Sequence, residues 1–409
     1  LSVAFGGLTF DRRLRIYLSD EDEIANGIAF NFGAAGFTTI WVHVNDVATI
    51  WTGDVKWLRK VLAHELAHLF HYRAIRPNLG PLQSLQYVIA NPIPSFWAEG
   101  VAQYLTEEWD AQRGDRWLRT AVFEDRLSYA DGTSAWNGRL KYAVGNSQTR
   151  YLTERYGDST MVNLLAHRKP IALGPLALPF FRVHDFYAAF QATTGRSYRS
   201  FYSEWRKHGN VYYNTMASQM ERLDSLNADP LPLPGQYLHQ VAASPDTSLI
   251  AGLTLSPLAR PVRRLYVMTN PGDSLAIAER GRNVKVIAEG AVQAPFAWHP
   301  DGQHIAYARR HRGQHGSLIN DLYVTHTETE RTVQLTKNRR AHSPTYAPDG
   351  DRLAFVGIGA QGTANVFVLD LTTDVETPLT SFAGDVQLTR LTWSPDGTRL
   401  AAARFDADG

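Results

Sequence analysis

Two histidines and a glutamate within one apolar stretch, Val61-Leu62-Ala63-His64-Glu65-Leu66-Ala67-His68, carry the clearest chemistry in the chain. In a helix, residues four apart project from one face, so His64 and His68 can grip a single metal ion between successive turns. Glu65 lies about 100° further round the helix. Its carboxylate is then free to take a proton from a metal-bound water. That combination points to a zinc-dependent hydrolase, and first of all to a peptidase.

A catalytic site with two histidines and one glutamate needs its carboxylate from a separate element. Ser95-Phe96-Trp97-Ala98-Glu99-Gly100-Val101-Ala102-Gln103-Tyr104 opens a second helix, and Glu99 sits there among aromatic and small residues, where an unpaired carboxylate is costly. Glu107, Glu108 and Asp110 bunch at the helix end as a solvated charge cluster. Glu99 is therefore the expected third ligand. His71 shares the side of His64 and His68 but lies about 10 Å along the axis from His64, so it is expected beside the metal shell or in solvent. A metzincin would have Gly and His where this chain has His71 and Ala74.

The elements that must position these groups are legible in outline. Leu14 to Leu18 and Thr38 to Val44 read as strands, with Gly27, Gly33 and Gly36 at turns and His43 a structural strand residue. The zinc helix is expected from about Asp54 to Tyr72, capped by Thr52-Gly53-Asp54. Pro77, Pro81, Pro92 and Pro94 then turn the chain back. Further helices are expected at 139–156, ended by Gly157, and at about 158–167, 184–193 and 199–226. Asp229-Pro230-Leu231-Pro232-Leu233-Pro234-Gly235 reads as a stiff linker.

His-Glu-Leu-Ala-His followed by Trp-Ala-Glu-Gly-Val-Ala-Gln-Tyr resembles the gluzincin metallopeptidases, particularly the bacterial peptidase MA-like group. The resemblance implies a thermolysin-like domain, with a small N-terminal sheet plus helices. One zinc ion would be held by His64, His68 and Glu99, with Glu65 as general base. Lys141-Tyr142-Ala143-Val144-Gly145 is similar to the element that supplies a transition-state tyrosine in related aminopeptidases, which implies Tyr142 as a donor to the oxyanion. Tyr151 and Tyr156 are weaker candidates. Thr194-Gly195-Arg196-Ser197 with Glu204-Trp205 resembles the end of such domains. His68 and Glu99 are 31 residues apart, longer than in familiar aminopeptidases, and the proline-rich 77–94 segment reads as an insertion. Gly33-Ala34-Ala35-Gly36-Phe37 offers no acid to hold a substrate's amino terminus, so an endopeptidase is favoured.

The second half repeats. Trp298-His299-Pro300-Asp301-Gly302, Tyr346-Ala347-Pro348-Asp349-Gly350 and Trp393-Ser394-Pro395-Asp396-Gly397 each precede a strand, and Ser244-Pro245-Asp246 is a degenerate copy. Pro fixes φ and Gly accepts the left-handed position of a tight turn. Successive aspartates are 55, 48 and 47 residues apart, a β-propeller blade period, and the copies resemble TolB-type blades. About three blades fit, where propellers close with about four to eight. The chain is thus expected to be part of a longer protein, with a processed or trimmed N-terminus at Leu1.

The expected architecture is multidomain α+β: a peptidase-like domain at 1–228, a linker at 229–236, and an incomplete propeller at 237–409. Partners would be a peptide or protein substrate and a protein bound by the propeller. A net charge of +1 gives no field for nucleic acid. Absence of cysteine excludes disulfides and thiolate ligands. Arg309-Arg310-His311-Arg312 reads as a solvated loop, and the longest apolar run, 170–181, is too short and too proline-broken to span a membrane. The TolB resemblance implies a periplasmic or secreted setting. Two alternatives remain open: a propeller-based binding module with a metal-stabilised scaffold, and a zinc amide hydrolase acting on peptidoglycan.

Overall fold

The computed structural model describes residues 1–10, 13–19, 22, 25–32, 37–44, 57–75, 93–107, 109, 114–130, 138–168, 171–172, 181–182, 185–219, 237–255, 262–270, 284–359, 362–384 and 386–405. The cap at 52–54, the glycines at 33 and 36, Glu108, Asp110 and the linker lie outside them. The chain forms two compact units, one of 1–18, 26–42 and 56–225, the other of 19–25, 43–55 and 226–409.

The first unit carries a three-stranded sheet of β1 (Arg15–Ser19), β2 (Ala25–Phe32) and β3 (Phe37–Val44), in the order β1-β3-β2. Gly27, read from sequence as a turn residue, instead lies within β2. After the sheet in chain order come α1 (Trp57–Ile75), α2 (Ser95–Thr106), α3 (Arg116–Phe123), α4 (Gly138–Tyr156), α5 (Ser159–His167), a short antiparallel pair of β4 (Ile171–Ala172) and β5 (Phe181–Arg182), α6 (Phe186–Thr194) and α7 (Tyr198–Gln219). Of these, α3 is not among the helices expected from sequence, and Asp115 before it makes no side-chain cap. By contrast α6 has a built start and stop: Ala188 N donates to Asp185 Oδ1 at 2.8 Å, and Gly195 closes the helix in the left-handed region.

The core is aromatic. Phe96, Trp97, Phe186, Phe190, Tyr198, Phe201 and Tyr202 are almost fully buried, and Trp97 and Phe186 lie 5.2 Å apart at their ring centres. His71 belongs to this interior and not to solvent: it is 2% exposed, with its ring 6.0 Å from that of Phe5.

The helices α2 and α4 meet backbone to backbone. A Cβ built on Gly145 would lie 2.7 Å from Gly100 Cα and still closer to the Phe96 carbonyl oxygen, and one on Gly100 would strike the Gly145 backbone. Both motif glycines are therefore steric requirements. Thr149 Oγ1 donates to Gly145 O at 2.9 Å, and Tyr104 Oη and Thr153 Oγ1 are 3.2 Å apart further along the pair.

In the second unit, antiparallel four-stranded sheets follow one another. They are β6 to β9 (Tyr237–Ala243, Leu249–Leu255, Arg263–Thr269, Val284–Gly290), β10 to β13 (Val292–Trp298, His304–Arg312, Leu318–His326, Thr332–Gln334), and β14 to β17 (Ala341–Tyr346, Arg352–Ile358, Ala364–Asp370, Val375–Pro378). A pair, β18 (Gln387–Trp393) and β19 (Leu400–Phe405), comes last among the described residues. Each repeated turn joins the first two strands of its sheet. The aspartate accepts the amide two residues on, at 3.1 Å for Asp246, 2.7 Å for Asp301, and 3.0 Å for both Asp349 and Asp396. Gly302, Gly350 and Gly397 take positive φ, and Thr247 must do so in the degenerate copy.

Neighbouring sheets are stapled by tryptophan. Trp298 Nε1 donates to Ala242 O at 3.1 Å, and Trp393 Nε1 to Thr345 O at 3.2 Å. The basic run Arg309–Arg312 is not a loop but the end of β11. Alternation puts Arg309 and His311 on one face of the strand: Arg309 lies over the Tyr323 ring, and His311 Nε2 is 2.8 Å from the buried Asp321 carboxylate.

Two outcomes follow from these contacts. Gly145→Ala should lower first-unit stability by about 3 kcal/mol, the cost of forced overpacking, read as an earlier urea midpoint of the full chain. His342, buried in β14, is pushed down from 6.5 to about 4, by burial first and then by the Arg340 charge. Its neutral form is the folded form, so its contribution is complete above about pH 6.5 and is lost as pH falls toward about 4, roughly 3 kcal/mol in all. A urea-midpoint profile of His342→Gln should be flatter than wild type over that window.

Candidate metal centre

The helix α1 presents little polar surface. His64, Glu65, His68 and His71 are all buried along with Val61, Ala67, Leu69 and Phe70. A helix packed on most sides holds its side chains in few rotamers, which suits ligands. The two imidazoles stand edge to face with centroids 4.8 Å apart, and Tyr72 stacks on His68 at 6.2 Å.

From α2, Glu99 reaches both. Its Oε2 is 3.2 Å from His64 Nε2 and 3.3 Å from His68 Nε2. Ligand atoms about 2.0–2.1 Å from a tetrahedral zinc stand about 3.3 Å apart. The observed separations match that spacing, and two imidazoles with one carboxylate are a zinc donor set. The three residues thus fit the ion.

The two carboxylates are driven apart electrostatically. Burial would raise Glu99, but hydrogen bonds from His64 and His68 outweigh it and hold that carboxyl well below the usual range. Burial lifts Glu65 from 4.5 to about 7, aided by the charge of Glu99 and opposed by His68 and the Ala29 amide. That amide comes from β2, and Gly27 on the same strand makes room. A Cβ there would lie 2.6 Å from Val61 Cγ2 and 2.9 Å from Glu65 Oε1. Neither Gly27 nor Ala29 is read from sequence as part of the site, because nothing local shows that this strand passes α1.

Tyr142, on α4, lies with its ring 5.7 Å from that of His64. Burial, then the Glu99 charge and a hydrogen bond to Glu99, push its phenol well above the ordinary tyrosine range. Tyr151 instead packs against Phe201 and His208, and Tyr156 ends the helix beneath Arg155. Glu107 follows the last turn of α2, its amide donating to Gln103 O at 2.8 Å. The side chain of His43 is outside the described residues.

No family model matches the chain. A stretch of 110 residues is 31% identical to dipeptidyl-peptidase 5 of Porphyromonas gingivalis, covering 25% of this chain and 16% of that protein. Another alignment, of 95 residues, is 32% identical to the Tol-Pal system protein TolB of Alcanivorax borkumensis, covering 20% and 21%. The chain therefore matches only a small part of either relative's length. Among solved structures, TolB from Acinetobacter baumannii has a TM-score of 0.33 at 18% identity, over 42% of this chain and 39% of that one. The β-propeller domain of the Trilobed protease from Pyrococcus furiosus has a TM-score of 0.28 at 15% identity, over 37% and 44%. The TolB likeness carried by the repeated turns is met by the TolB relative in sequence.

Removing the Glu99 carboxylate tests the centre directly. Glu99→Ala should lose one equivalent of zinc relative to wild type, measured by elemental analysis after dialysis. Unchanged content would remove Glu99 from the ligand set.

Proposed function

We propose that the chain is a zinc-dependent peptide-bond hydrolase of the gluzincin type, an endopeptidase by preference. The observation that carries this is the meeting of His64 Nε2, His68 Nε2 and Glu99 Oε2 beside a second carboxylate, Glu65, lifted to about 7. A bare scaffold has no use for that second group. The dipeptidyl-peptidase among the relatives supports a peptidase-related role, and the propeller repeats support a partner- or substrate-binding second part.

In this reading His64, His68 and Glu99 would hold one zinc ion, which when bound supplies Lewis-acid polarisation of water and carbonyl. The chain's own groups do the rest. Glu65 takes a proton from the attacking water at its carboxylate and returns it to the leaving amine. The Ala29 amide fixes that carboxylate, and Gly27 leaves space for it. Tyr142 keeps its phenolic proton at working pH and can give a hydrogen bond either to Glu99 or to a developing oxyanion. Residues 1–228 form the peptidase-like domain, 229–236 the linker, and 237–409 the propeller blades. Export to the periplasm or medium, by likeness to TolB, belongs to the same proposal. Among the described residues no helix is long and apolar enough to cross a membrane.

Glu65→Gln should abolish cleavage of a quenched peptide library, by at least about 10³-fold, while keeping its zinc. Tyr142→Phe should lower kcat by about 10- to 100-fold with little change in KM. Equal rates in wild type and Glu65→Gln, or none in either with zinc bound, would defeat the peptidase reading. Cleavage of peptidoglycan fragments with no cleavage of peptides would redirect it to an amide hydrolase.

A further inference from the structure

The four repeated turns of the second unit are built alike, and one of them departs from the rest. In the first and last, a serine two residues before the aspartate gives its hydroxyl proton to that carboxylate: Ser244 Oγ to Asp246 Oδ1 at 2.6 Å, and Ser394 Oγ to Asp396 Oδ1 at 2.5 Å. In the third, the residue three after the aspartate is an arginine, and Arg352 forks onto Asp349 Oδ2 at 2.9 and 2.5 Å. The second turn has histidine at both places. His299 Nδ1 is 3.0 Å from Asp301 Oδ1, and His304 Nδ1 is 2.7 Å from Asp301 Oδ2.

The protons do not suit a turn made only of hydrogen bonds. His299 Nε2 lies 3.1 Å from Gly350 O, an acceptor, so that nitrogen carries the ring proton of the neutral imidazole. Nδ1 then presents a lone pair. It accepts the Asp301 amide at 3.1 Å, yet it also faces a carboxylate oxygen, another acceptor, at 3.0 Å. Positive charge between the two removes that conflict, as a second ring proton or as a metal cation, and either one displaces the single Asp301 amide from that lone pair. A carbonyl behind one imidazole nitrogen, leaving the other to a metal, is the usual outer support of a histidine ligand. The aspartate is also pre-set: Oδ1 accepts the Gln303 and His304 amides at 2.7 and 3.1 Å.

We propose that this turn is a divalent-cation site of the zinc class, with His299 Nδ1, the Asp301 carboxylate and His304 Nδ1 as ligands. The three donor atoms lie within 4.8 Å of one another, and two imidazoles with a carboxylate suit Zn²⁺, with Ni²⁺ and Cu²⁺ taking the same donors. His299, Asp301 and His304 side chains are 22%, 34% and 37% exposed, so an ion can enter from solvent and keep open positions for water or for a donor from a partner. His326 pairs with His304 across the strands, rings 4.8 Å apart, but its Nδ1 accepts the Glu328 and Thr329 amides. It packs against the site without joining the ligands. Because His299 also reaches Gly350 in the next sheet, an ion here would tie the second blade to the third. The proposal stands apart from the peptidase reading and shares no residue with it.

The neighbouring turns supply the test variant. His299→Ser and His304→Arg together give the second turn the serine of the first and the arginine of the third, and so should fold. The full chain, stripped by chelator and dialysed at about 10 µM zinc, enough to fill a micromolar site about nine-tenths, should retain one equivalent more as wild type than as the double variant. The same one-equivalent difference should appear in a Glu99→Ala background, which separates this site from the His64–His68 centre. Zinc should raise the wild-type melting temperature more than that of the double variant. Equal zinc content in the two proteins, or a difference seen only above about 1 mM zinc, would overturn the proposal and leave a protonated His299 as the source of the charge. If the double variant misfolds, as seen by circular dichroism without metal, His304→Arg alone serves as the comparison with the same expected loss.

Discussion

The backbone contact between Gly100 and Gly145 is the constraint on which the candidate site depends. Ordinary helix pairs are held about 8–10 Å apart by their side chains. Here two glycines remove that spacer where α2 crosses α4, and the residues next to them are Glu99 and, three before Gly145, Tyr142. A helix pair held further apart would move Tyr142 away from Glu99. The aromatic layer around Trp97 and Phe186 backs the crossing, so the cost of two helix-interior glycines is offset by burial on the far side.

That geometry also sets the electrostatics. Glu99 lies between two imidazoles and stays ionised, whereas Glu65, one position past His64 and close to the same imidazoles, is lifted chiefly by burial. Pairs of carboxylates with separated roles arise in this way from environment, not from residue type. The edge of β2 contributes as much as the helix, since Ala29 gives its amide and Gly27 gives space. Only the close approach of a strand and a helix creates that environment.

In the second unit one local rule recurs, with turn chemistry setting both the strand pairing and the seating of one sheet on the next. The aspartate closes its own turn through the amide two residues on. The glycine of each following turn lies near the preceding one: Gly302 by Asp246, Gly350 by His299, Gly397 by Arg352. Because that rule is local, it was readable from sequence, including the degenerate copy, where Thr247 adopts the left-handed conformation without a glycine. The basic run at 309–312 was misread because charge alone resembles a loop, whereas its neighbours Tyr323 and Asp321 come from the partner strand β12.

By itself the sequence determined what periodicity and turn chemistry can carry. It placed His64 and His68 on one helical face, put Glu99 in a second apolar helix, and set the repeat of Pro-Asp-Gly turns. These depend on spacings of a few residues, where helix and turn geometry leave little choice. Tertiary structure alone decided that Gly27 is a strand residue against Glu65, that His71 is buried beside Phe5, and that Gly100 meets Gly145. It also decided which histidine nitrogen faces which acceptor around Asp301. Each of these is a contact between groups distant in sequence or dependent on a neighbouring strand, and no local pattern encodes the distance between them.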